Sequence, residues 1–167
     1  APYVPVKCHV FISEATFGLP VFRHPDAADE TAKLLRSVAL FPERAHILGA
    51  YSLGKAQRMM ALIRQAGHTA PLYMHGALTD ITAYYEAQGI ALGPVAHVTK
   101  MAKAKLAGAI VIAPPMAITD LWTRNFPDPV TAFASGWMRV RGGWRSQGGR
   151  CGFVISDHVD WPALVEA

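Results

Sequence analysis

An apolar run near the end of the chain leads into three residues that could carry acid–base chemistry. Asp157, His158 and Asp160 follow Val154 and Ile155 within a few positions. A histidine beside carboxylates can bind a metal ion or transfer a proton near neutral pH. The competing interpretation is a histidine held by a neighbouring carboxylate in a turn, and three residues are too few for a zinc site. The spacing alone leaves both roles open.

A second acidic candidate, Glu14, follows an apolar segment and precedes a tight turn at Gly18. A carboxylate at the end of a strand is a common catalytic placement in α/β folds. Taken alone, such an acid is more often a surface or capping residue. The other histidines lack the i,i+4 or His-X-His spacing of a metal site and are predicted to be structural or surface residues. They are His9, His24, His46, His68, His75 and His97.

Residues 49–55 nearly match the phosphate-cradling loop GxxxxGK[ST]. The match fails at Ala56, which has no hydroxyl for Mg²⁺. No later predicted strand ends in the second carboxylate that nucleotide hydrolysis needs. The structural alternative is a glycine that opens a packed helix, with Lys55 exposed. A non-enzymatic nucleotide-binding α/β module therefore stays open as a hypothesis of another class.

Apolar runs alternate with amphipathic stretches, which predicts an α/β fold with a mostly parallel sheet flanked by helices. The predicted strands are short and apolar on both faces, as in a covered sheet, and span residues 8–12, 45–50, 71–74, 109–112, 130–134 and 153–156. The predicted helices span residues 26–40 with Asp26 as the N-cap, 54–65 before Gly67, 79–88 before Gly89, and 117–124. The glycine- and arginine-rich residues 141–152 are predicted to form a loop.

Composition limits the classes of protein that fit. Apolar residues make up 51% of the 167 residues and charged residues 17%, which argues against disorder. No apolar run approaches the roughly 20 residues of a membrane helix. Cys8 and Cys151 form no CxxC motif, which favours a reducing, cytoplasmic setting. The stretch from Lys100 to Arg150 contains eight basic residues and two acidic ones. This excess of positive charge indicates either a nucleic-acid partner or a solvated basic surface.

In their order along the chain, these segments resemble the β-CASP branch of the metallo-β-lactamase-fold nucleases. Residues 13–18 (SEATFG) look like motif A of that branch, 53–57 (LGKAQ) like its helix start, and 155–160 (ISDHVD) like motif B. Residues 113–116 (APPM) occupy the place of a family turn but depart from its pattern. Still more similar is the group of ligase-associated DNA exonucleases, also described as mRNA 3′-end processing factors. That likeness lies in residues 17–25, 41–46 and 128–141.

The resemblance implies a domain plan and a cofactor. Residues 19–151 would be the β-CASP insert, and 1–18 and 152–167 would be edges of the metallo-β-lactamase domain, within one unit of 167 residues. The intact enzyme would hold two zinc ions, mainly through an HxHxDH motif upstream of motif A. That motif is not in this sequence. The chain is therefore expected to be a fragment that binds no metal and is inactive alone.

The resemblance also implies roles for residues. Glu14 would hydrogen-bond His158, which would protonate the leaving oxygen of the cleaved phosphodiester. The residues expected to contact nucleic-acid phosphates are Arg139, Arg141 and Arg145, with Lys55 and Arg58 as weaker candidates. Trp137 and Trp144 are candidates for stacking on bases.

The expected function is that of a metal-dependent DNA exonuclease linked to repair by an ATP-dependent DNA ligase. The expected partners are nucleic acid (DNA more than RNA), the metallo-β-lactamase portion and that ligase, with no membrane. An RNA-processing nuclease of the same superfamily is the alternative.

Overall fold

The computed structural model describes residues 6–99, 103–140 and 151–166. These residues form an α/β fold around a six-stranded sheet with the order β3-β2-β4-β1-β5-β6, and every strand pair is parallel. The strands are β1 (His46–Gly49), β2 (Leu72–Met74), β3 (Val95–His97), β4 (Ile110–Ala113), β5 (Val130–Ala134) and β6 (Cys151–Phe153). The helices are α1 (Ala27–Leu40), α2 (Lys55–Gln65), α3 (Thr79–Ala87), α4 (Pro115–Thr119) and α5 (Trp161–Glu166). No helix in the described ranges is both long and apolar enough to cross a membrane.

Strand β1 lies in the middle of the sheet and is buried along its whole length. Leu48 pairs in register with Ile112 of β4 on one side and with Ala132 of β5 on the other. One face of the sheet packs against α1 and α2, and the other packs against α4 and several 3-10 turns. The prediction of a parallel sheet covered by helices on both faces is therefore confirmed.

Local sequence determines where the longer helices begin and end. The Asp26 carboxylate accepts a hydrogen bond from the Ala28 amide at 2.8 Å, so the predicted N-cap of α1 is confirmed. Gly67 and Gly89 follow α2 and α3 with φ of +89° and +83°. These left-handed conformations cost glycine little, which is why helices commonly end at it.

The prediction of a strand over residues 8–12 is wrong. These residues pair with no strand of the sheet, and the Ile12 side chain is 90% exposed. Alternating apolar residues favour extended backbone, but a strand also needs a neighbour with free backbone donors and acceptors. Exposed apolar side chains are therefore frequent in this first segment, where Val6, Val10, Phe11 and Ile12 lie.

Other boundaries also differ from the sequence prediction. The helix predicted over 117–124 is divided into α4 and a 3-10 turn, because the Asp120 carboxylate accepts a hydrogen bond from the Leu121 amide at 2.6 Å and starts a new turn. Strand β3, a three-residue edge strand, and helix α5 were not predicted. Strand β6 begins at Cys151, inside the range 141–152 that was predicted to be a loop, and the rest of that range lies outside the described residues. The strand ends at Phe153, earlier than predicted, and the chain then turns towards α1.

A buried carboxylate ties that turn to α1. Glu30 is almost fully buried, and its Oε2 accepts a hydrogen bond from the Val154 amide at 2.8 Å. Its Oε1 pairs with the Lys33 ammonium one turn later in α1. Glu30 therefore positions the segment that leads from β6 to His158.

Replacement of Glu30 with alanine should lower the free energy of unfolding by about 2 kcal/mol, because the Val154 amide loses its acceptor. Glu30→Gln keeps an acceptor oxygen and loses only a partly exposed ion pair, so more than half of that energy should be retained. Urea denaturation followed by circular dichroism measures both variants. Equal losses would contradict a role for the hydrogen bond.

Candidate functional site

Glu14 and His158 come from opposite ends of the chain and meet beyond the carboxyl end of β6. The His158 Nδ1 lies 3.3 Å from the Glu14 Oε1. Both side chains remain accessible, with exposures of 53% for His158 and 44% for Glu14. With Nδ1 directed at the carboxylate, Nε2 lies on the side of the ring away from Glu14.

Tight turns hold each of the two side chains. The second Glu14 oxygen, Oε2, accepts a hydrogen bond from the Thr16 amide at 2.9 Å, and the Gly18 amide closes a turn onto the Ala15 carbonyl at 3.0 Å. Ser156 accepts a hydrogen bond from the His158 amide and donates one to the His158 carbonyl, both at 3.0 Å. The sequence-predicted pair is thus built from two short loops.

An aromatic cluster joins these loops to the end of β5. Phe17 is buried, and its ring centroid lies 4.9 Å from Phe22, 4.7 Å from His24 and 5.0 Å from Trp137. Gly136 packs so closely that a Cβ there would lie 2.5 Å from the Phe17 ring. Only glycine fits this contact, which fixes the Glu14 turn against the carboxyl edge of the sheet.

Two cations at the start of α2, Lys55 and Arg58, form a clamp that holds the His158 loop. The Lys55 ammonium donates to the Ile155 carbonyl at 3.0 Å and pairs with Asp157 Oδ2 at 3.2 Å. Arg58 Nη1 lies 3.1 Å from Asp157 Oδ1 and also donates to the Ser156 carbonyl. Both carboxylate oxygens and two backbone carbonyls are therefore engaged by cations of one helix.

This placement overturns the expectation that Lys55 is exposed: it is only 4% exposed. Its ammonium binds the Ile155 carbonyl and Asp157, so it would have to leave these partners to contact a nucleic-acid phosphate, and its role in nucleic-acid binding stays a prediction. The likeness to a nucleotide loop is a packing feature as well, because the side-chain oxygen Oε1 of Gln57 accepts a hydrogen bond from the Gly54 amide at 2.9 Å. A phosphate-cradling loop would need that amide and that lysine free.

Asp160 has a structural role in the described site. Its Oδ2 accepts a hydrogen bond from the His24 amide at 2.9 Å, and its Oδ1 accepts one from Ala163 in the first turn of α5 at 3.3 Å. Burial lowers the pKa of His24, which favours the neutral ring. Sequence reasoning missed that His24 and Asp160 fasten the first segment to the last, since nothing local marks so distant a contact.

Hydrogen bonds from Thr16, through its side chain and its backbone, lower the pKa of Glu14 below the ordinary value, and the charge of His158 acts in the same direction. Glu14 is therefore an anion at neutral pH. In the described residues, no group of three or more His, Cys, Asp or Glu side chains is placed to hold a metal ion.

Of the four arginines predicted to contact phosphates, two lie in the described part of the chain and two lie outside it. Arg139 is exposed and follows the half-exposed Trp137, and its charge lies close enough to His24 to lower the pKa of that histidine. Arg58 is also exposed, beside Asp157. Arg141, Arg145 and the predicted stacking residue Trp144 lie outside the described residues.

Comparison of the chain with protein-family models finds no match, and comparison with curated protein sequences finds none that is significant. The class of protein is therefore described by its fold and its site. It is an α/β domain with a parallel sheet and a carboxylate–histidine pair at the carboxyl edge of that sheet.

An NMR titration of the Glu14 side-chain carboxyl should give a pKa below the ordinary glutamate value, and Thr16→Val should raise it, because one hydrogen-bond donor is lost. Thr16→Ser, which keeps a hydroxyl, is the control. The lowered pKa contributes stability that is present above the ordinary pKa and is lost as the pH falls through the lowered one. An unchanged pKa in Thr16→Val would contradict the assigned cause.

Lys55→Met should lower the free energy of unfolding by about 2 kcal/mol, because the Ile155 carbonyl and Asp157 lose a buried cation. Amide hydrogen exchange in residues 154–158 should also become faster than in the rest of the sheet. Lys105→Met, at an exposed lysine, is the matched control and should change stability by less than about 0.5 kcal/mol. Equal effects of the two substitutions would rule out the clamp.

Proposed function

We propose that this chain is part of a metal-dependent nucleic-acid phosphodiesterase of the β-CASP branch of the metallo-β-lactamase-fold nucleases, and specifically of a DNA exonuclease. The observation that carries the proposal is the 3.3 Å contact between His158 Nδ1 and Glu14 Oε1, in a pair that stays accessible to a ligand. The two residues match motif A and motif B of the family in type and order.

The chemistry assigned to the pair is proton donation to the leaving oxygen. Ionised Glu14 accepts a hydrogen bond from the Nδ1–H of His158 and thereby orients the ring. Nε2–H then faces the substrate and donates its proton as the phosphorus–oxygen bond breaks. General acid catalysis of this kind typically contributes about 10²–10⁴-fold to a rate.

The donor set of the described residues does not fit the two zinc ions that the resemblance implies. Asp157 is engaged by Lys55 and Arg58, and the Nδ1 of His158 faces Glu14. The zinc ligands would therefore have to be residues other than those described, in the metallo-β-lactamase portion. On this proposal the chain contributes the proton donor and part of the substrate-binding surface.

Exposed side chains next to the pair support a polyanionic substrate. Arg58 is exposed beside Asp157, which directly precedes His158, and the exposed Arg139 follows Trp137, whose side chain is 49% exposed. Arginines that contact phosphates bind without sequence preference, and an aromatic face accepts any unpaired base. The surface therefore fits a single strand better than a base-paired duplex.

Arg139→Gln should weaken the binding of a fluorescently labelled single-stranded DNA oligomer about three- to tenfold at low salt and should reduce the salt dependence of binding by one phosphate contact. Arg36→Gln on the exposed surface of α1 removes the same charge away from the pair and is the control. Fluorescence anisotropy over a salt series gives both quantities. Equal losses of affinity in the two variants would show that binding depends only on the net charge of the protein.

Catalysis is tested in a polypeptide that joins this chain to its metal-binding portion. His158→Ala should reduce turnover of 5′-labelled DNA by about 10²–10⁴-fold while binding of the oligomer stays within about twofold. Parallel assays on 5′-labelled RNA separate the DNA exonuclease from an RNA-processing nuclease. The 167-residue chain with added Zn²⁺ or Mn²⁺ should show no turnover, and cleavage by it would refute the proposed division of labour.

A further inference from the structure

A groove of about 490 Å³ runs between α2 and the end of α3, next to the His158 loop. It is lined by Gly54, Gln57, Arg58, Ala61, Tyr85, Ile90 and Asp157. Its volume is within the roughly 300–1,000 Å³ typical of small-ligand sites. None of the residues given a catalytic role lines it.

The groove has an apolar end and a charged end. Ala61, Tyr85 and Ile90 form the apolar end, and Ile90 is 45% exposed although it is an isoleucine. Arg58 and Asp157 form the charged end, and Asp157 directly precedes His158 in the chain. A ligand in the groove would therefore lie beside the acid–base pair, with its flat apolar part against α3.

We infer that the groove binds one nucleobase, that of a nucleotide neighbouring the one whose phosphate meets His158. This inference rests on the proposed function and names a binding subsite for its substrate. Arg58 lines the groove and pairs with Asp157, which directly precedes His158, so a phosphate on the connecting backbone would come near its guanidinium. The Asp157 oxygens retain lone pairs that accept hydrogen bonds from the amino or ring N–H groups of a base.

Two considerations favour a base over an apolar peptide segment. The charged end carries Arg58, a cation of the kind that a polyanion requires. The groove also combines an aromatic side chain with a carboxylate. The aromatic ring can stack on the face of a base, and the carboxylate can accept hydrogen bonds from its edge. Tyr85 supplies that ring, and its hydroxyl lies near Gly54 at the start of α2.

A pair of matched substitutions tests the inference. Ala61→Met fills the groove from α2 with a side chain that favours helix, and Ala83→Met makes the same change on the exposed surface of α3, outside the groove. Ile90→Ala, in the loop after α3, is a second groove variant that removes apolar contact without adding bulk. Thermal unfolding by circular dichroism shows that each variant folds.

Binding is measured for two labelled oligomers of equal length and charge, one of single-stranded DNA and one with the sugar–phosphate backbone but no bases. Ala61→Met should weaken binding of the DNA oligomer about tenfold, Ile90→Ala about threefold and Ala83→Met not at all. Binding of the oligomer without bases should be the same in all four proteins.

The outcomes separate the two proposals. If the unaltered chain binds neither oligomer, the proposed function and the inference both fail. If it binds DNA but Ala61→Met and Ala83→Met bind equally, the groove inference alone is overturned. It is also overturned if Ala61→Met weakens both oligomers alike, because the groove would then hold backbone instead of a base.

Discussion

A buried lysine holds the candidate site together. Lys55 lies at the start of α2, directly after the central strand β1, yet its ammonium binds the Ile155 carbonyl and Asp157 at the far end of the chain. Burial of an ammonium is costly unless it is paired and hydrogen-bonded, so the contacts of Lys55 with the His158 loop offset that cost. The position of His158 is thus coupled to the most buried part of the sheet.

The Glu14 side of the site is positioned by packing instead of charge. Phe17 is buried among Phe22, His24 and Trp137, and Gly136 leaves room for its ring. The ring anchors a first segment that pairs with no strand of the sheet. Two independent constraints, one electrostatic and one steric, therefore bring an exposed carboxylate to an exposed imidazole.

Sequence patterns predicted the elements whose signals are local. Strand β5 and helix α1 follow the predicted ranges closely, because a continuous apolar run and an Asp N-cap act within a few residues. The strand predicted over residues 8–12 is wrong, since its apolar residues do not by themselves specify a pairing partner. Strand β3 was missed because three edge residues, one partly buried and two exposed, carry almost no periodic signal.

The sequence by itself determined the α/β class, the covered parallel sheet and the two residue types, Glu14 and His158, on which the candidate chemistry rests. The family resemblance implied that these two are in contact, but only the tertiary structure decided that Lys55 supports their loop from inside. The physical reason is that periodicity and capping act over a few neighbouring residues. The burial of a charge depends on groups that are distant in the chain, and the folded chain alone brings them within hydrogen-bonding distance.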